Sequence, residues 1–372
     1  MVLAQTQTVE TPDNQKKRWT LKRVLLTILF VILALLLAAV IAVAVLFRKE
    51  FGTVATLQQQ DDFYFTMDYK ADYGLDEFLE TGASTDSELA AFIVKKLMKG
   101  LPVEISLPNL GCSAFAAQTP EGDWIFGRNF DNAQAAYALV HTEPQDGYES
   151  ISMVNLSYIG FGDGSALLDK VLALAAPYIP LDGVNEAGLS IGVLQLYNEP
   201  TAQETGKTPI TTTSAIRMVL DKAATVDEAI ALMQQYDMHS SANAPYHFQL
   251  ADANGDSATV EYIDGEMSVV RAADGEKLAT TNFVLSEGEE HGDGKGQDRW
   301  QILTDTLRAK NGTLTEEEAM DLLEAVKQEK TKDDGTFSGT LWSCVYNNTD
   351  RTLQLSCNRD YEEIRTYTVD WE

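Results

Sequence analysis

Residues 112–131 read CSAFAAQTPEGDWIFGRNFD, and this stretch decides the fold. Thr119-Pro120-Glu121-Gly122 has the composition of a tight turn, because proline pre-sets φ at the second position and glycine tolerates the exit geometry. The flanks, 112–118 and 123–127, are rich in the aromatic and apolar residues that suit strands. A hairpin is therefore expected. With the turn centred between Pro120 and Glu121, Cys112 falls opposite Asn129, next to Arg128, and Asp131 lies just past the strand end. A thiol, a guanidinium and a carboxylate converge without any long-range fold assumption, and a register shift of one residue leaves them together.

These residue types suit acyl transfer. A cysteine with a free α-amine carries its own base, because an unperturbed α-amino group titrates near pKa ~8. Arg128 beside the sulfur would favour the thiolate, and Asp131 can accept a hydrogen bond from the amine and orient it. Attack on an amide carbonyl then gives a thioester and requires donors for the developing oxyanion. The plain alternative for the same residues is a buried strand cysteine beside an ordinary surface ion pair.

The spacing, with Arg128 sixteen and Asp131 nineteen residues after Cys112 and Gly127-Arg128-Asn129-Phe130-Asp131 around them, resembles the active-site hairpin of the choloylglycine hydrolase family and its acid-ceramidase-like relatives. These are N-terminal-nucleophile (Ntn) hydrolases of linear amides. Two downstream segments extend the resemblance. Leu278-Ala279-Thr280-Thr281-Asn282-Phe283 is similar to the family segment whose asparagine donates to the oxyanion, and Asp298-Arg299-Trp300 to the one whose arginine supports the site electrostatically. Asp182-Gly183-Val184-Asn185-Glu186-Ala187-Gly188-Leu189 also matches, as a hairpin turn between core strands with a structural role. One departure stands at Gln195, ten residues after Asn185, where bile-salt hydrolases tend to carry an asparagine near the oxyanion. Gln195 is a candidate substrate-binding residue with an amide donor one methylene further out; if it points away, a backbone N–H must serve. The departure bears on bile-salt specificity more than on reaction class. The resemblance runs from Cys112 to the C-terminus, with an echo upstream at 68–111, and implies an α+β fold: the four-layer αββα Ntn sandwich. It implies no cofactor and no metal.

Cys112 lies deep in the chain, so its α-amine exists only if the Gly111–Cys112 bond is cut. Acid-ceramidase-like relatives self-cleave before the cysteine. The same is expected here, with residues 50–111 staying bound to the catalytic part through helix packing.

The other strong feature is an apolar run over 24–47, interrupted only by Thr27 and long enough to cross a bilayer as a helix. Lys16, Lys17, Arg18, Lys22 and Arg23 precede it, whereas Arg48 and Lys49 beyond it are soon followed by acids. That asymmetry predicts the N-terminus inside and the bulk of the chain outside. A cleaved signal peptide would have a shorter apolar region and a small-residue site after it, which Phe47-Arg48-Lys49-Glu50 does not supply. The expectation is a basic cytoplasmic tail (1–23), a retained transmembrane helix (24–47) that makes the lipid bilayer a partner, a membrane-proximal pro-segment (48–111) and a catalytic domain (112–372).

Residues 1–49 hold seven basic and two acidic side chains, which leaves 21 basic and 54 acidic, a net charge of −33, for the remainder. Such an ectodomain repels nucleic acid and disfavours polyanionic partners. Three cysteines are too few for a disulfide-built scaffold. Cys344 and Cys357 flank a hairpin near 348–351 and are read as paired but unbridged, leaving Cys112 as the odd thiol. Capping boxes open helices at Thr85-Asp86-Ser87-Glu88, Thr225-Val226-Asp227-Glu228 and Thr315-Glu316-Glu317-Glu318. Strands are expected at 151–158, 189–196, 247–250, 257–262, 341–346 and 352–357. Gly160-x-Gly162-x-Gly164 lacks the strand–helix context of a phosphate loop, 252–256 reads as a hairpin turn, and His141, His239, His247 and His291 show no ligand spacing. A papain-like protease is disfavoured because no histidine lies in a recognisable partner context.

Three functions follow. The first is an anchored cysteine amidase acting on a small-molecule N-acyl amide through Cys112, Arg128, Asp131, Asn282 and Arg299. The second is an acyltransferase using the same thioester. The third is a surface binding protein on a decayed Ntn scaffold.

Overall fold

The computed structural model describes residues 12–98, 100, 103–105, 111–273, 276–286, 294–331, 337–369 and 371. The chain divides into two units, Met1–Phe51 and Gly52–Glu372. The first is dominated by the helix Pro12–Leu46. Within it, Lys22–Ala42 is long and apolar enough to cross a membrane, a criterion that a signal sequence also satisfies.

In the second unit the strands Gly111–Gln118 and Trp124–Ala133 form the expected hairpin. Its register corrects the sequence reading by one residue: Cys112 lies opposite Phe130, and Gly111 opposite Asp131. The cause is a five-residue loop in place of the four-residue turn. Thr119 N–H donates to the Asp123 carbonyl at 2.7 Å, and Asp123 N–H donates to Thr119 Oγ1 at 3.0 Å. Gly122 takes the left-handed φ of +105° that the loop requires. Because side chains alternate, the shift matters. Arg128 now lies on the same face as Cys112, one diagonal step away, while Asp131 lies on the opposite face with Gly111.

This hairpin belongs to a seven-stranded sheet in the order Ala279–Thr280, Gly111–Gln118, Trp124–Ala133, Phe337–Asn347, Thr352–Cys357, Arg365–Thr368, with Glu329–Thr331 added alongside Phe337–Asn347. A nine-stranded sheet runs Gln58–Gln59, Tyr64–Tyr69, Tyr137–Thr142, Ser150–Asn155, Pro180–Asn185, Ser190–Gln195, Tyr246–Ala251, Ser257–Ile263, Glu266–Arg271. The sheets meet where Gly111–Gln118 crosses Ser190–Gln195 and Tyr246–Ala251. Helices Thr212–Lys222 and Val226–Met233 pack on the nine-stranded sheet, and Gln297–Ala309 and Glu316–Ala325 on the seven-stranded one. Apolar residues on both faces of the central strands bury the core, with Phe130 stacked on Trp342 at 4.0 Å between ring centroids.

Upstream of Cys112, the strand Tyr64–Tyr69 is inserted into the larger sheet, parallel to Tyr137–Thr142. The Tyr69 hydroxyl donates to the Leu174 carbonyl and the Tyr178 hydroxyl to the Tyr73 carbonyl, and Phe78, Phe92 and Tyr178 form an aromatic cluster. Helix Asp86–Lys96 is capped by Thr85 Oγ1, which accepts from Glu88 N–H. Thr225 and Thr315 cap Val226–Met233 and Glu316–Ala325 in the same way. Glu318 closes a full box on Thr315 N–H, whereas Glu88 and Glu228 reach one residue further out, to Ser84 and Ala224. Each cap contributes about 1 kcal/mol.

One expected strand is shorter than its sequence pattern. The 151–158 run ends at Asn155, whose side chain accepts from Ser157 N–H and starts the 3-10 turn Leu156–Ile159. Cys344 and Cys357 are free: Cys344 lies opposite Leu355 and Cys357 opposite Trp342, a diagonal pair.

Candidate active site

The Gly111–Gln118 strand presents Cys112 fully buried between the sheets. Arg128, also fully buried, reaches across the gap. It donates through Nη1 to the Asn129 carbonyl at 3.1 Å and through Nη2 to the Val193 carbonyl, and its Nε lies 3.4 Å from Asp182 Oδ2. Gly192 leaves room for this passage, since a Cβ there would meet Arg128 Cδ and Nε at 3.3 Å. Asp182 is held in turn by Trp342 Nε1 at 3.0 Å and by the Tyr346 hydroxyl. Burial pushes the Cys112 thiol above its ordinary range; Arg128 beside it pulls the other way without cancelling the effect.

On the other face, Arg299 enters from the first turn of helix Gln297–Ala309. It donates to the Cys112 carbonyl at 2.6 Å and to Asn282 Oδ1 at 2.7 Å, and lies 3.4 Å from Asp131 Oδ2. Asn282 Oδ1 also accepts from the Cys112 backbone N–H at 2.9 Å. The Asn282 amide nitrogen donates to the Gln195 carbonyl at 2.8 Å. Asp131 Oδ1 accepts from Thr340 Oγ1 at 2.6 Å. Burial raises the Asp131 carboxyl, against the opposing pull of Arg299 and the Thr340 hydrogen bond. A Cβ on Gly111 would meet Asp131 Cβ at 3.1 Å, so this approach suits glycine. A cavity of about 340 Å³ opens against Gly111, Asp131, Asn282 and Arg299, with Lys295 and Lys330 on its wall.

The geometry thus brings Cys112, Arg128, Asp131, Asn282 and Arg299 into one cluster around the Gly111–Cys112 peptide. Gln195 contributes its backbone carbonyl from the end of Ser190–Gln195. Asp182 is the residue that sequence reasoning missed. Its segment was read as a turn, yet Asp182 lies on the strand Pro180–Asn185 and is the buried counterion of Arg128. Its acidic side chain in an apolar strand was the available signal. Among the described residues no group of His, Cys, Asp and Glu is arranged to hold a metal. His141, His239 and His247 lie apart, and His291 falls outside the described residues.

Residues 112–282 match the model of the family described as linear amide C–N hydrolases, choloylglycine hydrolase family. A penicillin V acylase from Pectobacterium atrosepticum is 39% identical over 99 residues, which are 24% of this chain and 26% of that protein. The chain thus spans about a quarter of the length of this curated relative. Among solved structures, a mutant conjugated bile acid hydrolase from Clostridium perfringens aligns with a TM-score of 0.50 at 16% identity, over 70% of this chain and 97% of that one, a likeness of fold.

Proposed function

With residues 112–282 matching the choloylglycine hydrolase family of linear amide C–N hydrolases, we propose that this chain is a cysteine amidase of N-acyl amides, with Cys112 as an N-terminal nucleophile exposed by self-cleavage. The two sheets flanked by helices support a four-layer αββα Ntn sandwich. The apolar helix supports a single-pass anchor, with the basic tail inside and the hydrolase unit outside.

The carrying observation is that the Cys112 peptide is gripped on both sides, its N–H by Asn282 and its carbonyl by Arg299, while Arg128 lies beside the thiol. In the cleavage step, Cys112 Sγ attacks the Gly111 carbonyl carbon and the C–N bond breaks as the Cys112 nitrogen takes a proton. Water then hydrolyses the resulting thioester, leaving a Gly111 carboxylate, a thiol and a free α-amine. In each later turnover the amine accepts the thiol proton and sulfur attacks the substrate carbonyl. The amine returns that proton to the leaving nitrogen, and water releases the acyl group. Asn282 would hold the amine of Cys112 in place and Arg299 its carbonyl. Arg128 would stabilise the thiolate, and its own position depends on Asp182. Asp131, facing Gly111 across the hairpin, would orient the new amine. The Asn282 amide nitrogen, which donates to the Gln195 carbonyl and has a second hydrogen, would be the oxyanion donor.

N-terminal sequencing and intact mass of a 50–372 protein test the reading. A new terminus at Cys112 is expected; a single uncut chain that binds amides without turnover would favour the binding-protein alternative. Strand insertion of Tyr64–Tyr69 should keep the upstream fragment associated after cleavage. The cleavage rate carries a second signature. Because burial raises the Cys112 thiol, the rate should climb with pH through and beyond the ordinary thiol range near pKa ~8.5, with no plateau at neutrality. A pH-independent rate measured by mass spectrometry from pH 6 to 10 would exclude thiol deprotonation as the controlling step.

A further inference from the structure

His247 and Glu261 form a buried polar pair outside the cluster around Cys112. They lie on the adjacent strands Tyr246–Ala251 and Ser257–Ile263, one step beyond the Phe248–Val260 pair, and both side chains are fully buried. His247 Nδ1 lies 3.0 Å from Glu261 Oε1, and its Nε2 lies 2.7 Å from the Thr281 carbonyl. Both ring nitrogens therefore lie against oxygen atoms, one on each side of the imidazole. Glu261 also accepts from Leu285 N–H at 2.8 Å, Ser286 N–H at 2.9 Å and Ser286 Oγ at 2.6 Å. These donors stabilise the carboxylate of Glu261. Although burial opposes ionisation, the hydrogen bond and charge of His247 hold Glu261 below the usual carboxylate range.

The pair thus grips one segment at two points. Through His247 it holds Thr281, and directly it holds Leu285 and Ser286; Asn282 lies between. Asn282 in turn holds the Cys112 N–H and the Gln195 carbonyl. We infer that His247 and Glu261 are positioning residues that set the placement of Asn282 against Cys112. This rests on the amidase reading for its effect on rate, and on geometry alone for its effect on the segment. Neither residue touches the reacting atoms, so their loss should lower kcat while binding survives.

The test compares Glu261→Gln and His247→Gln with the parent protein by hydrogen exchange and, on an N-acyl amide that the parent hydrolyses, by steady-state kinetics. Exchange at the Leu285 and Ser286 amides should quicken by about tenfold or more in both variants, while Val260 in the neighbouring strand stays protected. kcat should fall by about 10- to 100-fold with KM within about twofold. Unchanged exchange at Leu285 and Ser286 would overturn the inference whatever the activity. A parent protein without turnover would sink the amidase reading and still leave the exchange result to decide the clamp. Should either buried variant fail to fold, Ser286→Ala removes only the Ser286 hydroxyl's bonds to Glu261 and Ser268 at the partly buried end. It should quicken exchange at Ser286 alone; no change there would count against the clamp.

Discussion

Replacing Cys112 with alanine should abolish both the new N-terminus and amide hydrolysis, lowering kcat by at least about 10³-fold. The reason is that one sulfur is asked to perform both reactions. Cleavage needs it to attack the adjoining Gly111 carbonyl, and turnover needs it to carry the acyl group; Cys112 is the thiol that adjoins that peptide. Cys344 and Cys357 are free; Cys344 lies opposite Arg128 on the neighbouring strand, two strands away from Cys112, and Cys357 lies one strand further. Cys344→Ala and Cys357→Ala should therefore keep both reactions. Removing one sulfur from a site already crowded by Phe130 and Arg128 costs little stability, so the variant should melt close to the parent. Mass spectrometry and an amide-hydrolysis assay on the three variants decide the matter. Equal activity in Cys112→Ala and Cys344→Ala would remove Cys112 from the mechanism, and a cut Cys112→Ala chain would mean another protease makes the cleavage.

Asp182→Ala should be the most destabilising single change at the site, by about 3–5 kcal/mol. The Arg128 guanidinium is fully buried, and Asp182 is its carboxylate partner at 3.4 Å. Deleting Asp182 leaves that charge uncompensated between two sheets and strips the Trp342 and Tyr346 donors of their acceptor. A fall in Tm on the order of 10 °C is expected. Asp182→Asn, which keeps an acceptor but not the charge, should fall between the two. Arg128→Met in the Asp182→Ala background should recover part of the loss, because the orphan charge is then gone. Glu121→Ala at the exposed hairpin tip should leave Tm unchanged. If Asp182→Ala melts with the parent, Arg128 is compensated by something other than this carboxylate.

Much of the fold was legible because it is written in short-range patterns. The Pro-Glu-Gly turn between apolar flanks specified a hairpin, and three Thr-x-x-Glu segments specified three helix starts. Strand-like runs between turns placed the strands Ser190–Gln195, Tyr246–Ala251 and Thr352–Cys357 to within a residue. Where the reading ran long, at 151–158, a local competitor won: the Asn155 side chain bonded to Ser157 N–H and ended the strand. For the site, the spacing of Cys112, Arg128 and Asp131 is visible in the sequence. Their division between two faces of the sheet is not, because it depends on whether the loop holds four residues or five.

By itself, the sequence determined which elements form, where helices are capped, that one apolar helix precedes an acidic unit, and that a thiol, a guanidinium and a carboxylate share one hairpin. Tertiary structure alone decided which of them share a face, that Asp182 neutralises Arg128 and that Arg299 crosses to the Cys112 carbonyl. It also decided that His247 and Glu261 grip the segment bearing Asn282. The physical reason is range. Caps, turns and strand periodicity are settled within a few residues by backbone hydrogen bonding and side-chain alternation. Buried polar partners are settled by the stacking of two sheets, which brings residues 54 apart in the chain to 3.4 Å in the Arg128–Asp182 pair and removes the water that would otherwise have satisfied each separately.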